Sequence, residues 1–291
     1  MKKIFGLVFI ILLGAGNALA LSPLELSQLI IQAEQGNADS QYELAQIYFQ
    51  GDGLPRDYAK AFTWLEKAAQ GDHIQAQNQL ANMYDAGIGI TRNAAKAVEW
   101  YLQAAEQGSA SAQYNLGLIF YEGETVAQDY DQALLWFTRA AEQGLARAQY
   151  NVGSMYLNGI GTPVDYLSAY EWMLAAAAQG HTGAQYNLGS MYYYGLGVER
   201  DYKEAHDWFK RAAEKNDYQA QTALGIIYQE GQGVLQDQSE AYAWYMIAYS
   251  NTPDKEQSPL KGVLQTMTNY MTRAEINLGR KKAEDWFKRR P

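Results

Sequence analysis

Six tryptophans, Trp64, Trp100, Trp136, Trp172, Trp208 and Trp244, stand thirty-six residues apart. Gly51, Gly87, Gly123, Gly159, Gly195 and Gly231 keep the same spacing, as do Tyr48, Tyr84, Phe120, Tyr156, Tyr192 and Tyr228. Three residue types sharing one period through six copies mark a chain built by stacking one small unit. A period of this size is the signature of a solenoid.

Each unit reads as two helices. In the fourth, Ala148, Val152, Met155 and Tyr156 fall on one face of an α-helix. Gly153 lies beside that face, where the missing side chain admits another helix. Gly159-Ile160-Gly161 ends the helix, since glycine tolerates the left-handed conformation of a C-cap. Asp165 opens the second helix as an N-cap, and Asp57, Asn93, Asp129, Asp201 and Asp237 stand at equivalent positions. Gln132, Glu204 and Glu240 follow three residues after their caps, the spacing of a capping box. In the second helix, Ala169, Trp172, Met173 and Ala176 line one stripe, and the recurring tryptophans are expected in the core. A single hairpin buries little apolar area, so each repeat depends on its neighbours.

The pattern A-x-Y-x-L-G-x-x-Y-x-x-G-x-G followed by D-Y-x-x-A-x-x-W-x-x-x-A-A-x-x-G resembles the Sel1-like repeat family, relatives of the tetratricopeptide repeats. The resemblance implies an all-α fold, an α-solenoid or superhelix of six helix-turn-helix repeats over 37–72, 73–108, 109–144, 145–180, 181–216 and 217–252. Thr125 replaces the second loop glycine in the third repeat, and Asn93 replaces the capping Asp in the second. Residues 21–36 read as an N-terminal capping helix opened by Ser22-Pro23-Leu24-Glu25, a second helix without its first. Residues 253–291 read as C-terminal capping helices with a basic tail. Ser258-Pro259 starts one of these and Thr272 with Glu275 another, and Trp286 packs the last onto the sixth repeat.

The first twenty residues follow a different logic. A basic start, Lys2-Lys3, precedes the apolar run IFGLVFIILLGAG and the small residues Ala18 and Ala20. This is the pattern of a secretory signal peptide over 1–20, cleaved after Ala20. The expectation is an exported monomer, periplasmic or secreted, with no stable membrane insertion after cleavage. Cysteine is absent, which removes disulfides, thiolate nucleophiles and cysteine metal ligands. Between residues 21 and 271 there are 14 basic against 29 acidic residues, a balance of −15. Such a body repels nucleic acid, so no nucleic-acid partner is expected.

No catalytic, cofactor or metal constellation emerges. His73 and His181 fall at turns between repeats and His206 on a second helix, with no paired-histidine motif. The recurring G-x-G is a helix-ending turn rather than a dinucleotide loop. Some disulfide-rich Sel1-repeat proteins are associated with penicillin binding and weak β-lactam hydrolysis. That resemblance implies an alternative, a peptidoglycan- or β-lactam-binding hydrolase of the cell envelope, but the cysteine pairs of those proteins are missing here.

The first helix of each unit has a second face. In the fourth it carries Arg147, Tyr150, Asn151, Ser154, Leu157 and Asn158, opposite Ala148, Val152 and Met155. Across units this gives a rung of Tyr42, Asn78, Tyr114, Tyr150, Tyr186 and Thr222. Beside it run Asn115, Asn151 and Asn187, and further along Tyr121 and Tyr193. In related tetratricopeptide repeats this stripe lines a concave groove that holds extended peptides. Tyrosine gives contact area with few rotors, and amides pair with peptide backbone. Tyr42, Tyr114, Asn115, Tyr121, Tyr150, Asn151, Tyr186, Asn187 and Tyr193 are therefore the candidate contacts for another protein. Tyr114, Tyr150 and Tyr186 also belong to the repeat pattern itself, so stacking and ligand contact both fit them. Acidic residues outnumber Arg147 on the stripe, which favours neutral or basic segments. The sequence reads as a non-catalytic protein that binds another protein, and the resemblance to exported Sel1-repeat proteins implies a scaffold or adaptor, one that regulates an envelope enzyme or sensor or contacts host cells.

Overall fold

A computed structural model describes residues 21–124, 126–253 and 259–289. The signal-peptide reading, Thr125 and Ser258 lie outside these residues. Among the described residues there are fifteen helices and no strand. After α1 (Pro23–Glu34) come six hairpins: α2 (Ala38–Gln50) with α3 (Tyr58–Gln70), α4 (Ile74–Ala86) with α5 (Ala94–Glu106), and α6 (Ala110–Glu122) with α7 (Tyr130–Glu142). Then follow α8 (Ala146–Asn158) with α9 (Tyr166–Ala178), α10 (Thr182–Tyr194) with α11 (Tyr202–Ala213), and α12 (Tyr218–Glu230) with α13 (Gln238–Asn251). The chain ends with α14 (Leu260–Thr268) and α15 (Arg273–Lys288). Two compact units divide within α5, between Trp100 and Tyr101. Inside each, consecutive helices pack as antiparallel neighbours, the all-α stack of helix-turn-helix repeats that the period implies.

The hairpin turn is held by backbone and cap together. Gly159 ends α8 at φ 67°, its N–H donating to the Met155 carbonyl. Gly161 follows at φ 65°, and a Cβ there would stand 2.7 Å from the Tyr130 carbonyl oxygen of the preceding repeat. Only glycine meets both demands. The capping residues Asp57, Asn93, Asp129, Asp165, Asp201 and Asp237 each accept from the backbone N–H three positions on. Their own N–H groups donate to the carbonyls of Tyr48, Tyr84, Phe120, Tyr156, Tyr192 and Tyr228 at 2.8–3.0 Å. This corrects the capping-box expectation at Gln132, Glu204 and Glu240. The N–H that a box would engage is already bonded to the first helix of the hairpin, and Glu240 pairs with Lys282 instead (2.6 Å). Among the described residues, full boxes form at Ser22 with Glu25 and at Thr272 with Glu275.

Hairpin interiors are small-to-large contacts. Gly117, Gly189 and Gly225 on first helices face Phe137, Phe209 and Tyr245 on second helices, and a Cβ at any of them would overlap the ring. The tryptophans are a second correction. Trp136, Trp208 and Trp244 are buried, but Trp64, Trp100 and Trp172 are only half-buried. The half-buried ones sit at the rim of the core, and in three repeats, with buried and half-buried rings alike, the cation one turn later covers the indole face. Lys67, Arg139 and Arg211 lie 4.0, 4.6 and 4.3 Å from the rings of Trp64, Trp136 and Trp208.

Neighbouring hairpins are joined by a buried glutamine. Gln41, Gln77, Gln113, Gln149, Gln185 and Gln221 each send Nε2 to a carbonyl eight residues back, those of Ala33, Ala69, Ala105, Ala141, Ala177 and Ala213. These carbonyls lie in the last turn of the preceding helix and also accept the backbone N–H three residues on, so the glutamine fills their second acceptor position. The side-chain oxygen takes a second bond from the end of the second helix of its own repeat. Gln143 donates to Gln113 (2.7 Å), Gln179 to Gln149 (2.8 Å) and Asn251 to Gln221 (3.0 Å). At the matching position in the fifth repeat stands Lys215, whose ammonium bonds the Gly180 carbonyl. Gln185 Oε1 is left buried without a donor.

First helices are capped by a variable residue. His73 and His181 accept the N–H of Ala76 and Ala184 through Nδ1, and their rings stack at 4.4 Å on Tyr42 and Tyr150 of the preceding repeat. Burial lowers both imidazole pKa values. Asp39, 3.5 Å from His73, partly opposes the shift, and Lys215 adds to it at His181.

The ends reuse the same contacts. Gln41 bonds Ala33 of α1 as later glutamines bond second helices, so α1 occupies the second-helix position. Its Leu29 and Ala33 close the core formed with Leu44 and Ile47. At the other end, α15 packs on α13 through Trp286 against Trp244 (4.7 Å, edge-on). Lys282 bridges Asp237 (3.1 Å) and Glu240. Burial raises the Asp237 pKa, but the Ser239 hydroxyl, the Glu240 N–H and Lys282 outweigh it and hold the value at about 2. Pro259, not Ser258, is the residue preceding α14, and it makes no side-chain cap bond.

Two predictions follow from these joints. Lys215→Gln keeps the Gly180 bond, as Gln179 does with Gly144, and supplies the donor that Gln185 lacks. It should raise unfolding free energy by about 1 kcal/mol in urea titration, while Gln179→Lys should lower it by about 1–3 kcal/mol. The histidine caps accept hydrogen bonds only when neutral, and their folded pKa values lie below the unfolded value near 6.5. Their contribution is complete above that pH and is lost as pH falls below it. Denaturation midpoints should drop between pH 7 and 5. Replacing both residues with Asn, the cap used at Asn37, should flatten that slope.

Candidate functional site

The exposed stripe of the first helices is clearest in the unit beginning at Tyr101, where it opens into two clefts. The smaller, about 300 Å³, is lined by Tyr121, Phe137, Tyr150, Asn151, Ser154 and Asn158, among others. The larger, about 560 Å³, lies between α10, α12 and the start of α14. Tyr186, Ser190, Tyr193 and Tyr194 line it from α10, Tyr218, Gln219 and Thr222 from α12, and Pro259 and Leu260 from the α14 side. Phe209 forms part of its floor.

The helical period explains this gathering. Tyr186, Ser190 and Tyr193 are separated by four and three residues, hence share one face of α10. Thr222 and Ala223 face them from the next repeat. Rings of Tyr193 and Tyr194 meet edge-on at 4.9 Å, and Tyr193 meets Tyr202 at 5.3 Å. The edge-to-face geometry fixes the rings without covering them. Burial raises the pKa of Tyr186 and Tyr193, while Ser190 weakly opposes this at Tyr186. Tyr192, off this face, is pushed up to about 12, first by its bond with the Tyr170 hydroxyl (3.0 Å) and then by burial. Tyr186 and Tyr193 are therefore neutral near pH 7, offering ring faces and hydroxyl hydrogen bonds. Among the described residues no group of three His, Cys, Asp or Glu side chains is placed to hold a metal ion.

The nine candidate contacts do not share one fate. Tyr121, Tyr150 and Asn151 meet in the smaller cleft, and Tyr186 and Tyr193 in the larger. Tyr42 and Tyr150 are stacked on capping histidines, and Tyr114 carries the Arg147 guanidinium 4.1 Å above its ring. Stacking between repeats thus engages one side of these rings. Asn187 turns toward the interior, its amide 3.8 Å from the Met173 sulfur. Asn115 is half-buried. Sequence reasoning missed Ser190, Tyr194, Tyr218, Gln219 and Leu260. Ser190 and Gln219 sit on the repeat register and could have been read there. Tyr194 stands where other repeats carry Asn158 or Glu230, Tyr218 where they carry Ala146 or Thr182, and Leu260 lies beyond the last repeat, so no recurring residue type points to them.

Sequence comparison with the Sel1 repeat family matches residues 38–73, 74–109, 110–145, 146–181, 182–217 and 219–251. No curated protein matches the chain. A protective antigen present in uropathogenic Escherichia coli strains, displaying an SLR fold, is similar at 32% identity and a TM-score of 0.81, over 91% of this chain and 56% of that one. This chain thus spans little more than half the length of that antigen. A Sel1 repeat protein from Oxalobacter formigenes is 32% identical with a TM-score of 0.67, over 78% of this chain and 94% of its own. With six matched repeats joined by one recurring set of caps, glycines and buried glutamines, the chain belongs to the Sel1 repeat family.

Proposed function

We propose that this protein is an exported, non-catalytic scaffold that holds an extended segment of another protein against its first-helix face. Sel1 repeats usually serve protein interaction, which supports the general reading. The observation that carries the specific one is the pair of clefts on that face, lined by tyrosines and small polar groups. Aromatic rings with neighbouring amides and hydroxyls suit a peptide, whose backbone needs hydrogen bonds and whose side chains need surface. Export rests on the pattern of residues 1–20. No helix among the described residues is long and apolar enough to cross a membrane.

A photo-crosslinking amino acid placed at Ser154 or Ser190 in cells should trap one protein at both positions. The same probe at exposed Leu135 or Glu171, on second helices, should not. Equal labelling at all four positions would sink the groove reading. The mature N-terminus should read Leu21 on Edman sequencing of the envelope fraction.

A further inference from the structure

The larger cleft carries a more specific chemistry, resting on the groove reading above. The repeats provide an internal comparison. In the third and fourth, Arg147 lies 4.1 Å above the ring of Tyr114. Two repeats on, Tyr186 replaces Tyr114 and Gln219 replaces Arg147. Here the tyrosine ring borders a cleft of about 560 Å³, and none of the described lining residues is a cation. Four tyrosines and Phe209 surround the space. Asp217 caps the start of α12 and Glu230 ends it. Both charges reach the site, raising the pKa of Tyr186 and Tyr193 respectively after the larger effect of burial.

We propose that this cleft receives an arginine side chain of the bound segment, which takes over the place that Arg147 fills within the chain two repeats earlier. Aromatic faces attract a guanidinium through their quadrupole, and arginine stacks on them while keeping its donors free. The carboxylates at the two ends of α12 favour the same sign of charge. The acidic body, at −15 between residues 21 and 271, draws such a segment in over longer range.

The test uses the full protein carrying 3-fluorotyrosine, with Tyr186 and Tyr193 assigned by single Tyr→Phe substitutions. Titration with the acetylated, amidated tripeptide Gly-Arg-Gly should shift both fluorine resonances saturably. The citrulline peptide, equal in shape but uncharged, should bind about tenfold more weakly. The glutamate peptide should produce no shift. Gln219→Arg, a change at an exposed position, should place a guanidinium over Tyr186 from within. It should weaken Gly-Arg-Gly binding about tenfold while leaving the denaturation midpoint at or above wild type. Equal binding of arginine and citrulline, or undiminished binding in Gln219→Arg, would overturn the proposal. If crosslinking at Ser190 persists in that case, only the cation preference falls. Loss of position-specific crosslinking at both serines would remove the groove itself.

Discussion

The buried glutamine amide is the joint on which the array depends. A helix that ends inside a stack leaves last-turn carbonyls with one backbone donor, the N–H three residues on, and a second acceptor position open. Each first helix brings one Nε2 to that position, and in the third, fourth and sixth repeats the second helix returns a donor to the same amide's oxygen. The bond is directional, whereas alanine-on-alanine packing is not. It therefore sets register between hairpins that could otherwise slide. The Asp N–H bonded to a carbonyl across the turn does the same within a hairpin. Apolar burial drives the stacking, and these two polar joints give it a single geometry.

The binding face is what remains once those demands are met. On each first helix, alanine, leucine and glycine turn inward, and the tyrosine rung lies at the edge of the packing. There the rings have two sides. One leans on a histidine or an arginine of the next repeat or on a phenylalanine of its own, and the other borders open space. Structural and recognition roles are thus two faces of one side chain. This explains why Tyr42, Tyr114 and Tyr150 are more committed to stacking than Tyr193.

Most of the fold was legible in the sequence because repetition multiplies a weak signal. One Asp-Tyr pair or one G-x-G says little; six in register fix hairpin length, turn and cap. The glutamine rung was equally periodic, but a polar residue on an apolar stripe is not read as core until its acceptor is seen. The capping boxes were over-read from spacing, since the competing carbonyl lies across the turn rather than along the helix. The larger cleft was least legible. It depends on Tyr194 and Tyr218, whose residue type the other repeats do not share, and on α14, which lies beyond the last repeat, so only three-dimensional packing brings the residues together.

The first helix, α1, offers the Ala33 carbonyl to Gln41 as every later second helix does to its successor. Any internal copy can therefore follow α1 directly, and any copy can follow any other. Duplication or deletion of one thirty-six-residue segment recreates the glutamine-to-carbonyl joint at the new junction, while the residue that caps the first helix changes with the copy. The architecture is indifferent to its own count, so the length of the recognition surface can drift by whole modules across generations while each boundary stays satisfied.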